Sequence, residues 1–360
     1  MASRPGRGAQ GAQAASRRGP VAGKRGPQIV HVGAASRDIT TDDPRGWRLG
    51  GGVSYGALTT AALGVRTVAV IGVDATAATC VELDALRTAG VELLLVPLAA
   101  GPIFRNEERP EGRRQLCLDP GQAMDVPALP VSWHGAPVWA VAPVANEVGD
   151  AWIEAIPETA FVALGWQGLL RSLTADAAVT RRAPVWSGLL DRADLVALSR
   201  HDVEPGTSLA TLTALLHPGA RLLLTDGRDG GLLATTPGAD PAGALFEGRG
   251  TSLRYAAVPP DRAVDPTGAG DSFLAALLAT IVRPSLVDLA MPPTAANWSG
   301  TSEDVVARAW ASPAALRFAS AVASLVVEGP GLSAILNLAA VRRRLRRAGL
   351  RQPAGSSSSE

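Results

Sequence analysis

The most constraining feature of the chain is an alternation of short apolar segments with longer stretches of helical composition. The apolar segments have the length of buried strands, and glycines such as Gly64 and Gly90 close helical stretches. This alternation predicts βαβ units around a mostly parallel sheet, with helices on both faces. The predicted strands are 28–33, 67–71, 91–96, 138–142, 161–164, 195–198, 221–225, 232–236 and 253–258, the last two near an edge.

Helices are predicted where apolar and small residues run for two turns or more. The predicted helices are 54–63, 75–89, 147–155, 209–216, 268–282, 314–328 and 338–348, with an irregular insertion at 283–312. The segment 102–119 breaks the alternation, because its charged strands 103–107 and 114–118 flank Arg109-Pro110-Glu111-Gly112, a turn signature. We therefore predict a three-layer α/β fold with a small β lid built partly from residues 102–119.

Composition excludes several classes of protein. Hydrophobic residues make up 47% and charged residues 19%, which permits a sizeable core and argues against global disorder. No apolar run approaches the length of a membrane span. The two cysteines are too few for a disulfide framework, and the four histidines are scattered. We expect a cytoplasmic protein without membrane contact.

The net charge of +1 is the sum of two basic terminal segments and an acidic region between them. Residues 1–27 carry six basic residues and no acid, and residues 342–351 carry six more, which leaves the rest of the chain at −11. The composition predicts a disordered basic tail over 1–27, a folded domain over 28–348 and a second disordered tail over 349–360. Solvated tails are a simpler interpretation of these ends than nucleic-acid contacts.

The segment 264–273, VDPTGAGDSF, carries the clearest chemistry. Gly268, Ala269 and Gly270 stand where a helix begins, so small residues, free N–H groups and the helix dipole favour a bound phosphate. Asp271 would repel that phosphate unless it served the reaction, for example by taking a proton from an attacking hydroxyl. The alternative is that Asp271 only stabilises the first helical turn.

The string DPTGAGDSFLAALL resembles the C-terminal signature of the PfkB carbohydrate kinases, the ribokinase-like family. Three further segments resemble that family in the expected order. They are Gly51-Gly52 before a helix, Thr225-Asp226-Gly227-Arg228-Asp229-Gly230 as a nucleotide turn, and 319–331 as the helix and loop beside the adenine. Within the family, VALGWQGLLR at 162–171 is most like the inositol-kinase-like branch.

The resemblance implies an ATP-dependent kinase that phosphorylates a sugar or cyclitol hydroxyl, with myo-inositol as the first candidate acceptor. It implies Asp271 as the catalytic base, with Gly268, Ala269 and Gly270 as the anion hole. It also implies donor-binding residues Thr225, Gly227, Gly230, Thr267 and Asp202, and substrate-binding residues Asp38, Gly51, Gly52, Tyr55 and Asn106. Asp202 would hold Mg²⁺ through water, and Asp265 would lie at a monovalent cation site for K⁺. Relatives often dimerise through their lids, so a homodimer is a further expectation.

The chain departs from the family pattern at two places. Ser199 and Asp202 stand where the family has N-x-x-E, so an amide is lost and the carboxylate is one methylene shorter. Tyr55 stands where many sugar kinases have Asn. These changes keep open an alternative hypothesis, a catalytically weak or inactive kinase-like binding or regulatory protein. Gln167 and Arg171 are open as ligand contacts or as surface residues.

A dinucleotide-dependent oxidoreductase is a weaker hypothesis. Its fingerprint, G-x-G-x-x-G after the first strand, is missing, because the chain has Gly33-Ala34-Ala35-Ser36-Arg37-Asp38 there.

Overall fold

A twisted sheet of short apolar strands forms the centre of the molecule. The computed structural model describes residues 26–109, 112–236, 252–291, 310–334 and 336–350. Within these residues nine strands form one sheet in the order β16-β15-β14-β13-β9-β8-β1-β4-β5. The run from β14 to β5 is parallel, and β15 and β16 add antiparallel at one edge. The strands of this sheet are β1 (Ile29–Ala34), β4 (Thr67–Val73), β5 (Glu92–Pro97), β8 (Val138–Val141), β9 (Phe161–Gly165), β13 (Leu195–Ser199), β14 (Arg221–Thr225), β15 (Gly231–Thr235) and β16 (Ser252–Tyr255).

Helices cover both faces of this sheet. The α-helices are α1 (Gly52–Ala62), α2 (Val81–Thr88), α3 (Gly188–Arg192), α4 (Leu209–Thr213), α5 (Ala269–Val282), α6 (Pro313–Val326) and α7 (Leu338–Leu350). Short 3₁₀ helices lie at Ala77–Thr79, Val131–Trp133, Asp150–Ala155, Trp166–Leu170, Arg200–Asp202, Gly227–Asp229, Pro284–Ala290 and Gly331–Ser333. The predicted three-layer arrangement is confirmed.

The core divides along the two faces because successive strand residues point to opposite sides. On one face Ile29 and Val138 pack against α5, α6 and α7. On the other face Val30 and Trp139 pack against the short helices, including the buried Trp152. Both faces are apolar, which explains why the strands have continuous apolar sequences rather than alternating ones.

A second, smaller sheet forms the lid. Its strand order is β11-β7-β6-β2-β3, and the β6–β7 hairpin is the one that the turn signature predicts. Three further strands were not predicted from the sequence, because each is only two or three residues long and depends on its partners. The lid strands are β2 (Arg37–Ile39), β3 (Trp47–Leu49), β6 (Ile103–Arg109), β7 (Gly112–Asp119) and β11 (Ala177–Ala178). A separate pair, β10 (Arg171–Ser172) with β12 (Thr180–Arg181), flanks β11 in the chain.

Several predicted helices are wrong in length. The predicted helix 75–89 is a 3₁₀ turn and then α2, separated at Cys80, whose backbone is extended. The predicted helix 147–155 is a 3₁₀ helix that begins only at Asp150, and 209–216 shortens to α4. Each of these segments is short, so tertiary packing rather than helix propensity decides its form.

The predicted tails fall mostly outside the described residues. This applies to 1–25 and 351–360, whereas Gly349 and Leu350 belong to α7 rather than to a tail. In the predicted insertion 283–312, Pro284–Ala290 forms a 3₁₀ helix, and 292–309 lies outside the described residues. No single helix in the described part of the chain is long and apolar enough to cross a membrane. A bent pair, α5 with Pro284–Ala290, passes by length and composition alone.

Candidate active site

The predicted site residues gather at the edge of the main sheet where the parallel strands end. Thr225 closes β14, and Asp202 belongs to the turn after β13. Asp38 lies in lid strand β2, which follows β1 closely in the chain. The carboxyl ends of parallel strands are the usual ligand sites of open α/β sheets.

The turn before α5 places Asp271 in the first turn of this 14-residue helix. Gly268 is the N-cap residue, with φ of 76°, and a side chain there would overlap the Tyr55 ring. Glycine is therefore required both by the backbone conformation and by the space. Within the predicted anion hole the N–H of Ala269 donates to the Pro266 carbonyl oxygen at 3.2 Å. The N–H groups of Gly268 and Gly270 are the better candidates for binding an anion.

Asp271 is enclosed by neighbouring segments that approach closely. A Cβ atom built on Gly52 would lie 2.5 Å from Oδ1 of Asp271, so only glycine allows α1 to start beside this carboxylate. Burial raises the pKa of Asp271 to about 6, Arg171 lowers it, and Asp202 raises it. A carboxyl with this pKa is a better proton acceptor than an exposed aspartate and is still mostly ionised at neutral pH.

Asp202 is held in a different way, by hydrogen bonds to both of its oxygens. Oδ2 accepts from the backbone N–H of Ser199 at 2.7 Å, and Oδ1 accepts from Nε2 of Gln167 at 2.9 Å. Ser199 in turn caps the short helix by accepting from the N–H of His201. Ser199 and Asp202, which stand where the family pattern has N-x-x-E, thus form a fixed turn. In this turn the backbone N–H of Ser199 orients the Asp202 carboxylate.

The turn after β14 contains the predicted nucleotide residues. Gly227 and Gly230 have φ of 54° and 88°, and they bound a single 3₁₀ turn. Thr225 donates from Oγ1 to the Leu198 carbonyl oxygen at 3.4 Å, which ties β14 to β13. This turn lies one strand away from Asp202, as a shared donor site would require.

The lid carries the predicted acceptor-side residues. Asp38 accepts a hydrogen bond from Oγ of Ser36 at 3.0 Å. Asn106 in β6 accepts one from Nε2 of Gln115 in β7, also at 3.0 Å. Gly51 is the N-cap residue of α1, with φ of 93°. Asp38 and Asn106 line one cavity, so the structure brings these two predicted residues together.

That cavity has a volume of about 280 Å³ and lies between the lid and the loop before α5. Tyr55, Asp265 and Thr267 also line it, whereas Asp271 does not. Tyr55 packs against Gly268, between the cavity and the helix start. Asp265 joins two loops, since Oδ1 accepts from the N–H of Thr267 at 2.9 Å and Oδ2 from that of Gly331 at 3.3 Å.

Comparisons with known proteins agree with this arrangement. Residues 180–338 match the profile of the pfkB family carbohydrate kinases. The chain carries a PfkB-type carbohydrate kinase domain. No curated protein matches the chain.

Among solved structures, the chain is similar to a pyrophosphate-dependent kinase of the ribokinase family in its sulfate complex, at 18% identity and a TM-score of 0.60. That match covers 88% of this chain and 99% of the other. Arabidopsis thaliana ribokinase in complex with ribose and ATP gives 18% identity and a TM-score of 0.59, covering 89% and 99%. Methanocaldococcus jannaschii nucleoside kinase gives 14% and 0.56, also covering 89% and 99%. The fold is therefore ribokinase-like, and together with the PfkB domain it indicates a sugar kinase, a phosphotransferase with an alcohol group as acceptor.

Sequence reasoning missed one buried acid, Glu147, which lies before the matched residues 180–338. Its carboxylate accepts N–H bonds from Ala34 at 2.8 Å, from Val144 at 3.0 and 3.1 Å, and from Ala145 at 2.7 Å. The only signal in the sequence is an acid within an apolar segment, at the start of the predicted helix 147–155. Glu147 instead organises the turn after β8, next to the end of β1.

Proposed function

We propose that the chain transfers the γ-phosphoryl group of ATP to a hydroxyl of a small neutral polyol, with Asp271 as the general base. The observation that carries this proposal is the position of Asp271, in the first turn of a helix whose N-terminal glycines leave space for a phosphate, with Gly52 packed against its carboxylate. Burial at this position raises the pKa of Asp271 to about 6. A carboxylate placed only to stabilise a helix would be solvated and would keep an ordinary pKa.

The proposed reaction requires one proton transfer and one exchange of bonds at phosphorus. Asp271 takes the proton of the acceptor hydroxyl as the hydroxyl oxygen forms its bond to the γ-phosphorus. The bridging P–O bond breaks, and its electron pair stays on the leaving oxygen of ADP. The backbone N–H groups of Gly268 and Gly270 hold negative charge that develops on the transferring group.

The donor would lie along the turn after β14 and the start of α5. We assign Thr225, Gly227, Gly230 and Thr267 to this donor site. Asp202 suits a water-mediated Mg²⁺ site, because a carboxylate has about four lone-pair positions and protein donors use only one on each oxygen. Mg²⁺, when bound with ATP, neutralises phosphate charge. The role of Asp265 toward K⁺ stays a prediction, since both of its oxygens already bind backbone N–H groups.

The acceptor is proposed to be a sugar or cyclitol, with myo-inositol first. Asp38 and Asn106 supply the acceptors and donors that bind hydroxyl groups, and they share one cavity under the lid. A kinase of the ribokinase family that was solved with a pyrophosphate analogue and myo-inositol has the same fold at 18% identity. A lid-mediated homodimer stays a prediction.

A catalytically weak binding protein is the second candidate, and the altered Ser199–Asp202 turn favours it. Purified protein should be assayed with inositol, ribose, fructose, fructose phosphates and nucleosides, using ATP and pyrophosphate in parallel. Turnover of a neutral polyol with ATP supports the proposal. Preference for a phosphorylated acceptor would contradict the neutral-polyol assignment, preference for pyrophosphate would contradict the donor assignment, and saturable binding without turnover would favour the second candidate.

A further inference from the structure

Arg171 is a basic side chain among the carboxylates at the end of the sheet. It begins β10, directly after the 3₁₀ helix that follows β9. Four acids act on it electrostatically: Asp202, Asp271, Asp38 and Glu147. With one guanidinium against four carboxyl groups, this region has an excess of acidic groups, and Arg171 is a basic side chain that can offset the charge of a phosphate there.

The hydrogen bonding of Arg171 leaves room for a ligand. In the described part of the chain its recorded hydrogen bond runs from Nη1 to the Val144 carbonyl oxygen, at 3.2 Å. A guanidinium has five N–H donors in a planar fork that matches two phosphate oxygens. One carbonyl oxygen therefore satisfies only a small part of its donor capacity.

The position of Arg171 relative to two other groups indicates which ligand atoms it would meet. In the proposed reaction Asp271 marks the acceptor oxygen and Asp202 marks the donor side. On the donor side, Gln167 in the 3₁₀ helix that leads to Arg171 donates to Oδ1 of Asp202 at 2.9 Å. On the acceptor side, Arg171 binds the Val144 carbonyl oxygen, two residues after Ala142. Ala142 lies beside Gly52 where Gly52 approaches Asp271. A cation within range of both lies beside the path of the group that passes from donor to acceptor.

We propose that Arg171 contacts the non-bridging oxygens of the transferring phosphoryl group and stabilises the charge that they carry during transfer. This inference rests on the proposed kinase function. Arg171 forms no covalent bond and transfers no proton, so the bond exchange described above is unchanged.

The lid holds Arg171 in this position. The guanidinium lies over the ring of Phe104 in lid strand β6, with the carbon 5.6 Å from the ring centre. The chain after Arg171 then enters the lid sheet as β11, which pairs with β7, and returns to the body as β12. In this segment Val179 donates its N–H to the Gln115 carbonyl oxygen at 2.9 Å, and Gln115 also binds Asn106. The acceptor-side lid and the proposed phosphate contact are thus joined through a few hydrogen bonds.

The test compares Arg171→Met and Arg171→Lys with the wild-type chain. Arg182→Met is the matched control, because Arg182 is an exposed arginine of the same segment. For Arg171→Met we expect kcat to fall about 10²–10³-fold, the size seen when one donor to a developing anion is removed. We expect Arg171→Lys to recover at least about tenfold of that loss, since it restores the charge without the fork. The control should keep wild-type kcat.

A pH profile separates this role from a packing role. Arg171 lowers the pKa of Asp271, while burial and Asp202 raise it. Loss of the guanidinium charge should therefore raise the pKa of Asp271, so that the acid limb of the kcat/KM profile lies at a higher pH in Arg171→Met than in the wild type. A change that only loosened packing would not shift this limb upward.

Binding of MgATP and of pyrophosphate, measured by calorimetry, makes the test independent of the acceptor. The proposal predicts that Arg171→Met weakens at least one of them about tenfold or more, since a charge-assisted hydrogen bond is lost. If the wild type binds a donor but turns over no acceptor, the proposed function fails while this inference is still judged by binding. Wild-type binding and kcat in Arg171→Met overturn the inference. The inference is also overturned if Arg171→Met and Arg171→Lys lose kcat equally, both have a lower Tm, and the acid limb of kcat/KM stays at the wild-type pH.

Discussion

Two acids with raised pKa values at the same edge of the sheet are held in opposite ways. Glu147, after β8, accepts backbone N–H bonds from Ala34, Val144 and Ala145. Asp271, in the first turn of α5, receives no hydrogen bond from another described residue, and Gly52 brings α1 against it. Burial raises the pKa of both carboxyls, and at Glu147 the N–H bonds oppose that rise.

The difference separates a structural acid from a reactive one. A carboxylate whose lone pairs are occupied by N–H groups is fixed in position, and those hydrogen bonds favour its ionised form. A desolvated carboxylate without such partners is less stable in its ionised form and takes a proton more readily. We therefore expect changes at Glu147 to affect folding and changes at Asp271 to affect turnover.

The largest expected effect is on turnover by Asp271→Asn, which keeps the shape and removes the basicity. General-base catalysis contributes about 10²–10⁴-fold, so kcat should fall by that factor, with affinity for ATP equal or improved. Steady-state kinetics with saturating ATP measures this. A well-folded variant with wild-type kcat would rule out Asp271 as the base and leave the fold assignment intact.

The same substitution should stabilise the protein at alkaline pH. The pKa of Asp271 is about 6 in the folded chain against 3.8 for an aspartate in water, so its contribution to stability falls as pH rises through this interval. At pH 8 the variant should gain about 1–3 kcal/mol in the free energy of unfolding. Denaturant titration at pH 8 and pH 4 checks the sign, and a loss at pH 8 would indicate that Asp271 supports the helix instead.

Glu147→Gln should have the opposite effect, through stability. The Gln amide turns one acceptor into a donor that faces N–H groups, which costs about 2–4 kcal/mol in the free energy of unfolding. Urea titration measures the change. An unchanged stability would show that the N–H bonds at this turn are replaceable, and would remove the contrast with Asp271.

A smaller effect is expected from Asp202→Asn. The variant keeps an oxygen for the Ser199 N–H and loses the charge, so the Mg²⁺ concentration for half-maximal activity should rise about three- to tenfold, with kcat at saturating Mg²⁺ less affected. Magnesium titration of the activity tests this. An unchanged requirement would place the metal site elsewhere.

The parts that were predictable from sequence are those whose chemistry is local. The glycines at 268 and 270, the acid at 271 and the long apolar helix after them are adjacent in the chain, so their pattern is specific. The β6–β7 hairpin was predictable for the same reason, because its turn signature lies between two short strands.

The parts that were missed depend on contacts between distant segments. β2 and β11 exist only because β6 and β7 offer them partners. The role of Glu147 depends on the N–H of Ala34, which is 113 residues away in the chain. No local pattern encodes such a bond, and the helical composition around Glu147 favoured the wrong prediction.

The pH dependence of kcat/KM, compared between the wild type and Asp271→Asn, tests the central claim most directly. The base must be ionised to accept a proton. The wild-type kcat/KM should therefore decline as the pH drops below the pKa of Asp271, which is about 6, and should be about tenfold lower one pH unit below that value. The residual activity of Asp271→Asn should lack this limb. The same limb in both proteins would assign the titration to another group and contradict the account of Asp271 as the base.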